Sequence, residues 1–188
     1  MALRREPSIL GPWTVDDLER LPDDDYRYEV WDGELTRMPP AGGRHNEVET
    51  DLAFALRLAA GEQGRVYTGD AGFRLTERRS ISPDVAFVRR ERLPPATERV
   101  GFLPVMPDLA AEIRSPSDED EDVQIKVARY LALGVRLVWV LDPQRRTAEV
   151  HRPDAPSRSL SADRDEALEG EDVVPSFRLP LRELFEVV

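Results

Sequence analysis

Apolar residues recur at helical spacing in two stretches of the chain, and these stretches predict two long helices. In residues 44–60 the apolar positions fall three or four residues apart, and Gly61 follows as a stop signal. A second stripe recurs at i, i+4, i+7 and i+8 from Val123. We expect Ser117 to cap this second helix ahead of an acidic first turn, and Gly134 to end it.

Other stretches are rich in strand-forming residues and predict a sheet. "YRYEVWDGELTRM" predicts a hairpin, because Asp32-Gly33 separates two runs of such residues. Further strands are predicted for "AGFRLTE", "PDVAFVRR", "DLAAEIRS", "VRLVWVLD" and "TAEVHRP", with the last two paired across a turn. A short helix capped by Thr14 comes before the hairpin, residues 90–107 form a proline-rich extended loop, and the tail ends in a loop and a short helix.

This order of elements predicts an α/β (α+β) fold in which a mixed β-sheet is flanked by helices. The chain has 188 residues, of which 40% are hydrophobic and 34% charged, as in a globular protein. We therefore expect a single domain over residues 1–188, with its core between about residues 26 and 153.

Composition narrows the classes of function. The chain has no cysteine, which excludes disulfides and thiolate zinc sites and fits a reducing cytoplasm. No apolar stretch is long enough for a signal peptide or a membrane span, so we expect a soluble cytoplasmic protein that does not enter membranes. The net charge of −11 argues against loose binding to a nucleic-acid backbone. A nucleic-acid function would therefore require a local site, with metal ions offsetting the carboxylates.

Three residues on separate predicted elements could form such a site. Asp84 opens the "PDVAFV" strand, Glu112 lies within "LAAEI", and Lys126, the only lysine in the chain, lies on the second long helix. Two close carboxylates are stable as anions only with a cation between them. Oxygen ligands of this kind select Mg²⁺ or Mn²⁺, which can activate water and offset charge on a phosphate. A nearby ammonium could orient that water.

Each of these residues also has a structural interpretation. Asp84 could simply begin a strand, and Lys126 could pair with Asp122 on the helix surface for a few tenths of a kcal/mol. Glu112 is harder to explain in this way, because burying a carboxylate costs roughly several kcal/mol unless it is paired or bound to metal. Trp31 and Trp139 are expected in the core or at a dimer contact, not as platforms for stacked bases.

Several motifs occur in an order that resembles a known family. They are the "YEVWDGEL" hairpin, His45 at the start of the first long helix, "PDVAFV", "EIRSPSD", the lysine helix with "GVRLVW", and a final "LDP". Pro83-Asp84 followed by Glu112-Ile113-Arg114 resembles the signature of the PD-(D/E)XK nucleases. The ordered set covers roughly residues 26–153 and resembles the Uma2 group, the DUF820 family of restriction endonucleases.

The resemblance implies a restriction-endonuclease-like core and a set of metal ligands. Asp84 and Glu112 would bind Mg²⁺ or Mn²⁺, with the carbonyl of Ile113 as a third ligand. The lysine of the superfamily normally lies two residues after the acid, where this chain has Arg114. Arginine can hold a phosphate but is a poor proton donor or acceptor. Lys126 would then be the catalytic lysine, supplied from the adjoining helix.

Glu29 and His45 are further candidates that the resemblance suggests, and both have simpler interpretations. Glu29 could be a solvent-facing strand residue, and His45 a helix cap or a packing residue. Arg114 could pair with Glu112 or with the acidic run that follows it.

The expected function is hydrolysis of phosphodiester bonds in DNA by a Mg²⁺-dependent endonuclease. Cleavage of both strands would call for a symmetric homodimer. An alternative is a catalytically inactive binding or scaffold protein with the same core, favoured by the acidic charge and by arginine at position 114. A metal hydrolase that acts on a substrate other than nucleic acid is a third hypothesis.

Overall fold

The computed structural model describes residues 11–21, 24, 26–69 and 71–186. Within these residues the chain forms four α-helices: α1 Val15–Leu18, α2 Gly43–Ala60, α3 Asp120–Ala132 and α4 Leu181–Leu184. It also forms twelve strands: β1 Arg27–Trp31, β2 Glu34–Met38, β3 Gly64–Thr68, β4 Phe73–Thr76, β5 Arg79–Ile81, β6 Val85–Arg89, β7 Leu109–Ile113, β8 Leu137–Asp142, β9 Thr147–His151, β10 Arg158–Ser161, β11 Ala167–Glu169 and β12 Arg178–Pro180. None of the helices described is long and apolar enough to cross a bilayer.

The central element is a six-stranded sheet with the order β10-β9-β8-β7-β6-β3. Strands β7 and β8 are parallel and are joined by α3, while the other pairs in this sheet are antiparallel. A second sheet has the order β2-β1-β5-β4, and β11 pairs with β12. The predicted mixed sheet flanked by helices is therefore confirmed.

Alternation along the strands divides the core into two layers. Leu109, Ala111 and Ile113 of β7 pack in the layer with α2 and α4. Ala110 packs in the opposite layer, with α3 and the second sheet. Because side chains alternate along a strand, Glu112 points to the same side as Ala110, toward α3. This placement explains how a carboxylate in an apolar strand meets side chains of α3.

Two helix starts that were predicted from capping residues have different outcomes. Thr14 caps α1 in a reciprocal arrangement, in which the backbone N–H of Asp17 donates to the Thr14 hydroxyl and the Asp17 carboxylate accepts from the Thr14 N–H. Ser117 is not the cap of α3, because that helix begins at Asp120 with Glu119 as its N-cap. The N–H of Ser115 donates to the Asp118 side chain at 2.8 Å, which holds residues 115–118 in a turn and delays the helix.

The remaining differences concern short elements, and one is that the predicted extended loop of residues 90–107 contains 3₁₀ helices at Arg90–Arg92 and Ala96–Glu98. The predicted hairpin, the strands in "AGFRLTE" and "PDVAFVRR", and the β8–β9 pair are all present. Strands β3, β5 and β10 to β12 were not predicted. Each has three to five residues and takes its register from a neighbouring strand.

Candidate active site

Asp84 and Glu112 lie at the same end of two neighbouring strands. In the antiparallel pair β6–β7, Val85 is opposite Ala111, so one further position along each strand places Asp84 beside Glu112. Both acids line a cleft of about 520 Å³ between the β1–β2 hairpin and α3. The structure thus brings together two carboxylates that are 28 positions apart in the sequence.

Asp84 is almost fully buried and is surrounded by donors. Its Oδ2 accepts from the Ile113 N–H at 2.8 Å and lies 3.1 Å from His45 Nε2. Both terminal nitrogens of Arg27 lie 3.2 Å from its Oδ1. Burial alone would raise the pKa of Asp84, but the hydrogen bond with His45 and the charges of His45, Lys126 and Arg27 outweigh it and lower the pKa. Asp84 is therefore an anion at neutral pH.

Glu112 has the opposite electrostatic environment. The Tyr130 hydroxyl donates to its Oε1, and Lys126 Nζ lies 2.6 Å from its Oε2. Burial raises the pKa of Glu112 to about 7; the charge of Lys126 opposes the shift, and those of Asp84 and Glu29 add to it. At neutral pH this carboxyl group is poised between its two protonation states.

Lys126 is the ammonium shared by these carboxylates. Its side chain is 29% exposed and lines the cleft. Burial lowers the pKa of Lys126, but the negative charges of Glu112, Glu29 and Asp84 raise it above its usual value, so the group stays charged. Burial is the main cause of the raised pKa of Glu112, whereas the neighbouring carboxylates are what raise the pKa of Lys126.

The other predicted residues occupy different positions around the cleft. Glu29 on β1 is buried, and its Oε1 accepts from the Ser82 N–H at 2.7 Å. Arg114 lines the cleft, but its guanidinium is bound to the carbonyl of Asp118 at 3.1 Å and to the carboxylate of Asp120 at 2.6 Å. Arg114 is therefore paired with the acidic run in this structure.

His45, Glu49 and Asp84 form a second cluster that shares one acid with the first. One potential ligand atom from each lies within 4.8 Å of the others. The Glu49 Oε1 accepts from the Gly69 N–H at 3.0 Å. Burial and the charge of Asp84 raise the pKa of Glu49. Burial lowers the pKa of His45, but its hydrogen bond to Asp84 and the charges of Asp84 and Glu49 outweigh burial and raise it.

The donor set around the two acids fits a divalent cation on two grounds. When the carboxyl groups of Glu29, Glu49, Asp84 and Glu112 are all ionised and the imidazole is neutral, the cations Arg27 and Lys126 leave two negative charges unbalanced. In addition, the buried Nδ1 of His45 has no hydrogen-bond partner and lies 3.7 Å from Glu49 Oε2. If Nε2 donates to Asp84, Nδ1 presents a lone pair to a carboxylate, an arrangement that a proton or a metal ion would stabilise.

Sequence reasoning did not identify Arg27, Glu49 or Tyr130 as parts of the site. Arg27 reaches Asp84 across 57 positions, and no local pattern indicates that contact. The other two could have been found from helical spacing. Glu49 is four residues after His45 on α2, and Tyr130 is four residues after Lys126 on α3, so each shares a helix face with a predicted residue.

Trp139 lies in the core as expected, whereas Trp31 packs against the core and also lines the cleft. Trp139 is buried in the core and stacks on Phe177 with ring centroids 5.2 Å apart. Trp31 packs against the core, and the guanidinium groups of Arg129 and Arg79 lie 4.5 and 5.1 Å from its ring centroid.

Comparison with known proteins shows which solved structures and which protein family this chain resembles. A crystal structure of a "putative nuclease belonging to DUF820" from Anabaena variabilis ATCC 29413 superposes with a TM-score of 0.81 and 21% identity, over 93% of this chain and 98% of that one. This similarity shows a shared fold. A cryo-electron microscopy structure of a DrdV–DNA complex aligns at 17% identity over 63% of this chain and 10% of that chain, and its TM-score of 0.38 is too low to support an argument. A search of curated proteins found no match.

A family model described as "Uma2: Putative restriction endonuclease" matches residues 15–182. The match includes every residue of the two clusters around Asp84 and nearly the whole described chain. The resemblance inferred from the ordered motifs is confirmed, and the chain belongs to the Uma2 family.

Proposed function

We propose that the protein is a metal-dependent endonuclease that hydrolyses phosphodiester bonds in DNA. The observation that carries the proposal is the pair of buried acids Asp84 and Glu112, side by side on one cleft with Lys126 at 2.6 Å from Glu112. The family description supports a nucleic-acid substrate. The absence of cysteine fits the cytoplasm as the place where the enzyme acts.

Asp84, Glu112 and the carbonyl of Ile113 would hold Mg²⁺ or Mn²⁺. The bound ion would supply a water of lowered pKa and positive charge against the phosphate. His45, Glu49 and Asp84 provide an overlapping set of ligands. Asp84 belongs to both sets, so its substitution removes a ligand in either arrangement.

The neighbouring side chains orient these acids and the substrate. Lys126 donates to one oxygen of Glu112 and Tyr130 to the other, which fixes the plane of the carboxylate. Because Lys126 also faces the cleft, its ammonium can donate a hydrogen bond to the attacking water or to a phosphate oxygen. Arg114 can hold a phosphate only if its guanidinium leaves Asp120.

Cleavage of supercoiled plasmid DNA with Mg²⁺ or Mn²⁺ tests this proposal. We expect the wild type to produce nicked or linear DNA, and Asp84→Ala and Glu112→Ala to leave the plasmid intact. Asp172→Ala is a matched control, because Asp172 is an exposed acid that pairs with Arg136 outside the cleft. Equal activity in the wild type and in both site variants would contradict the proposed site.

A binding or scaffold protein with the same core is the second candidate. It is favoured by Arg114, which stands where the superfamily has its lysine and is paired with Asp120. Calorimetry with Mg²⁺ separates the two, because a scaffold has no reason to bind the ion in a way that depends on Asp84. A panel of DNA, RNA and small phosphodiesters would identify a hydrolase whose substrate is not DNA.

We also propose that a second copy of the chain packs against the outer face of α2. Phe54 and Leu58 are 65% and 67% exposed and lie one turn apart on this face. Asp51 precedes Phe54 by three residues and Arg57 follows it by three. A two-fold axis near Phe54 would make the two helices antiparallel and place Asp51 of each copy opposite Arg57 of the other. Such a dimer would provide two active sites for the two DNA strands.

Light scattering after gel filtration tests this dimer. We expect a dimer for the wild type and a monomer for Phe54→Glu, while Val100→Glu should stay dimeric because Val100, 82% exposed, lies outside α2. Asp51→Arg alone should weaken the dimer, and adding Arg57→Asp should restore it. A monomeric wild type, or a dimer that survives Phe54→Glu, would exclude this interface.

A further inference from the structure

Arg27 occupies one of the two oxygens that Asp84 could offer to a metal ion. It lies at the start of β1, its two terminal nitrogens are each 3.2 Å from Asp84 Oδ1, and one of them also donates to the carbonyl of Gly69 at 3.1 Å. The charges of Glu112 and Glu49 act on it as well. Arg27 is thus the cation that contacts Asp84 directly through its guanidinium in this structure.

The hydrogen-bond capacity of Asp84 is filled by its present partners. An ionised carboxylate has about four acceptor positions on its two oxygens. Two are used at Oδ2 by Ile113 and His45, and two are used at Oδ1 by Arg27. A cation that binds Asp84 must therefore replace one of these partners.

Arg27 is the partner that can leave. The Ile113 N–H belongs to strand β7 in the centre of the sheet, and His45 is buried at the start of α2. Arg27 contacts Asp84 through a long, flexible side chain that is 22% exposed and lines the cleft. A divalent ion beside Oδ1 would also repel the guanidinium at close range.

We propose that Arg27 is a displaceable cation, which holds Asp84 in the resting protein and moves to the phosphodiester of the substrate when a divalent metal ion binds. This inference rests on the proposed metal-dependent function. The guanidinium fork matches phosphate oxygens, and the cleft offers it a substrate position next to Asp84. Metal and substrate then favour each other's binding, because the metal releases the group that binds the phosphate.

Arg27→Met tests this inference, since methionine keeps much of the length of the side chain without its charge. In calorimetry we expect this variant to bind Mn²⁺ about tenfold more tightly than the wild type, because no guanidinium competes for Oδ1. With Ca²⁺ as the metal and a short oligonucleotide as the probe, we expect it to bind DNA about tenfold more weakly, because the phosphate loses a bidentate partner. Loss of a merely structural contact would not move the two affinities in opposite directions.

Arg37→Met is the matched control. Arg37 lies on the same hairpin and lines the same cleft, but its guanidinium pairs with Asp24 at 3.3 Å. We expect this variant to keep the wild-type affinity for Mn²⁺. A change equal to that of Arg27→Met would reflect the general charge of the cleft and would overturn the specific role of Arg27.

Thermal melting keeps the inference testable if Arg27→Met folds poorly. Without Arg27 the buried carboxylate loses its guanidinium partner, and Mn²⁺ should replace that positive charge, so the ion should raise the melting temperature of the variant more than that of the wild type. Equal or weaker Mn²⁺ binding by Arg27→Met than by the wild type would overturn the inference while leaving the metal site intact. No Mn²⁺ binding by either protein would instead contradict the proposed function.

Discussion

Two Pro-Asp pairs precede the neighbouring strands β6 and β7, and they have different surroundings. Pro83-Asp84 comes before β6 and Pro107-Asp108 before β7. Because these strands are antiparallel, the two aspartates lie at opposite ends of the same strand pair. Both are almost fully buried, and both contact an arginine. Burial and an arginine partner therefore do not distinguish Asp84 from Asp108.

The Asp84 end and the Asp108 end of the β6–β7 pair differ in the number of carboxylates that surround each cation. Asp108 accepts from the Arg89 N–H at 2.8 Å and from Arg92 at 2.7 Å, and its carbonyl accepts from the backbone after α3. Asp84 lies with Glu112 and two further carboxylates around Arg27 and Lys126. The Asp108 end is a matched ion pair that joins two loops. The Asp84 end has excess negative charge beside an open cleft, which is the arrangement that a metal ion stabilises.

Replacement of Asp84 or Asp108 by asparagine should give the largest difference between the two ends of the strand pair, and this difference should be in the rate of DNA cleavage. Asp84→Asn should reduce the rate of DNA cleavage at least a hundredfold, because the proposed metal ligand is lost. Asp108→Asn should keep the wild-type rate per folded molecule. Rates with Mn²⁺, corrected for the folded fraction by circular dichroism, measure both. Similar losses in the two variants would show that the comparison does not separate function from structure.

The free energy of unfolding should fall more in Asp108→Asn than in Asp84→Asn, the reverse of the order expected for the cleavage rate. Asp108→Asn should lower the free energy of unfolding by about 2 kcal/mol, because the partly buried N–H of Arg89 and the exposed guanidinium of Arg92 lose a charged acceptor. Urea denaturation without metal measures this change. Asp84→Asn should cost less, since weaker repulsion with Glu112 offsets part of the lost attraction to Arg27 and His45. A greater loss in Asp84→Asn than in Asp108→Asn would contradict the assignment of Asp108 as the structural acid.

The sequence drew attention to the Asp84 end of the strand pair and not to the Asp108 end. Glu112 could be recognised because it interrupts the apolar run "LAAEI", and Asp84 because the ordered family motifs selected Pro83-Asp84. No local feature distinguished this pair from Pro107-Asp108. The order of helices and strands followed from apolar spacing, whereas the short strands β3, β5 and β10 did not, because their pairing depends on neighbours distant in sequence.

The groups that complete the site are those that tertiary contact alone supplies. Arg27 contacts Asp84 only because the second sheet packs over the end of β6. The spacing of residues along the chain does not indicate this contact. For Arg114 the sequence left open a pairing with the acidic run, and the structure has that pairing. The start of α3 was predicted wrongly at Ser117, because the turn at residues 115–118, which delays the helix to Asp120, could not be inferred from the sequence.

The pH dependence of stability should depend on Glu112. Its pKa is about 7 in the folded protein and near the ordinary value of 4.5 in the unfolded chain. Between these values the folded protein binds more protons than the unfolded chain, so the free energy of unfolding falls as pH rises through this window. Urea denaturation in steps across this range should give a steeper fall for the wild type than for Glu112→Gln. Saturating Mn²⁺ should reduce the fall in the wild type, because a bound cation favours the ionised carboxylate. An equal slope in both proteins would mean that Glu112 titrates normally.

Arg92→Met should have the smallest effect of these changes. The Arg92 side chain is 38% exposed, so solvent screens its attraction to Asp108, and the Arg89 N–H continues to bind the carboxylate when Arg92 is lost. We expect a loss of about 1 kcal/mol in urea denaturation and no change in Mn²⁺ affinity. Arg27→Met, the corresponding change at the other end, should alter Mn²⁺ affinity strongly. An effect of Arg92→Met on Mn²⁺ binding would mean that the two ends of β6–β7 are coupled through the sheet. It would then be wrong to treat Asp108 as a structural ion pair that is independent of the proposed metal site.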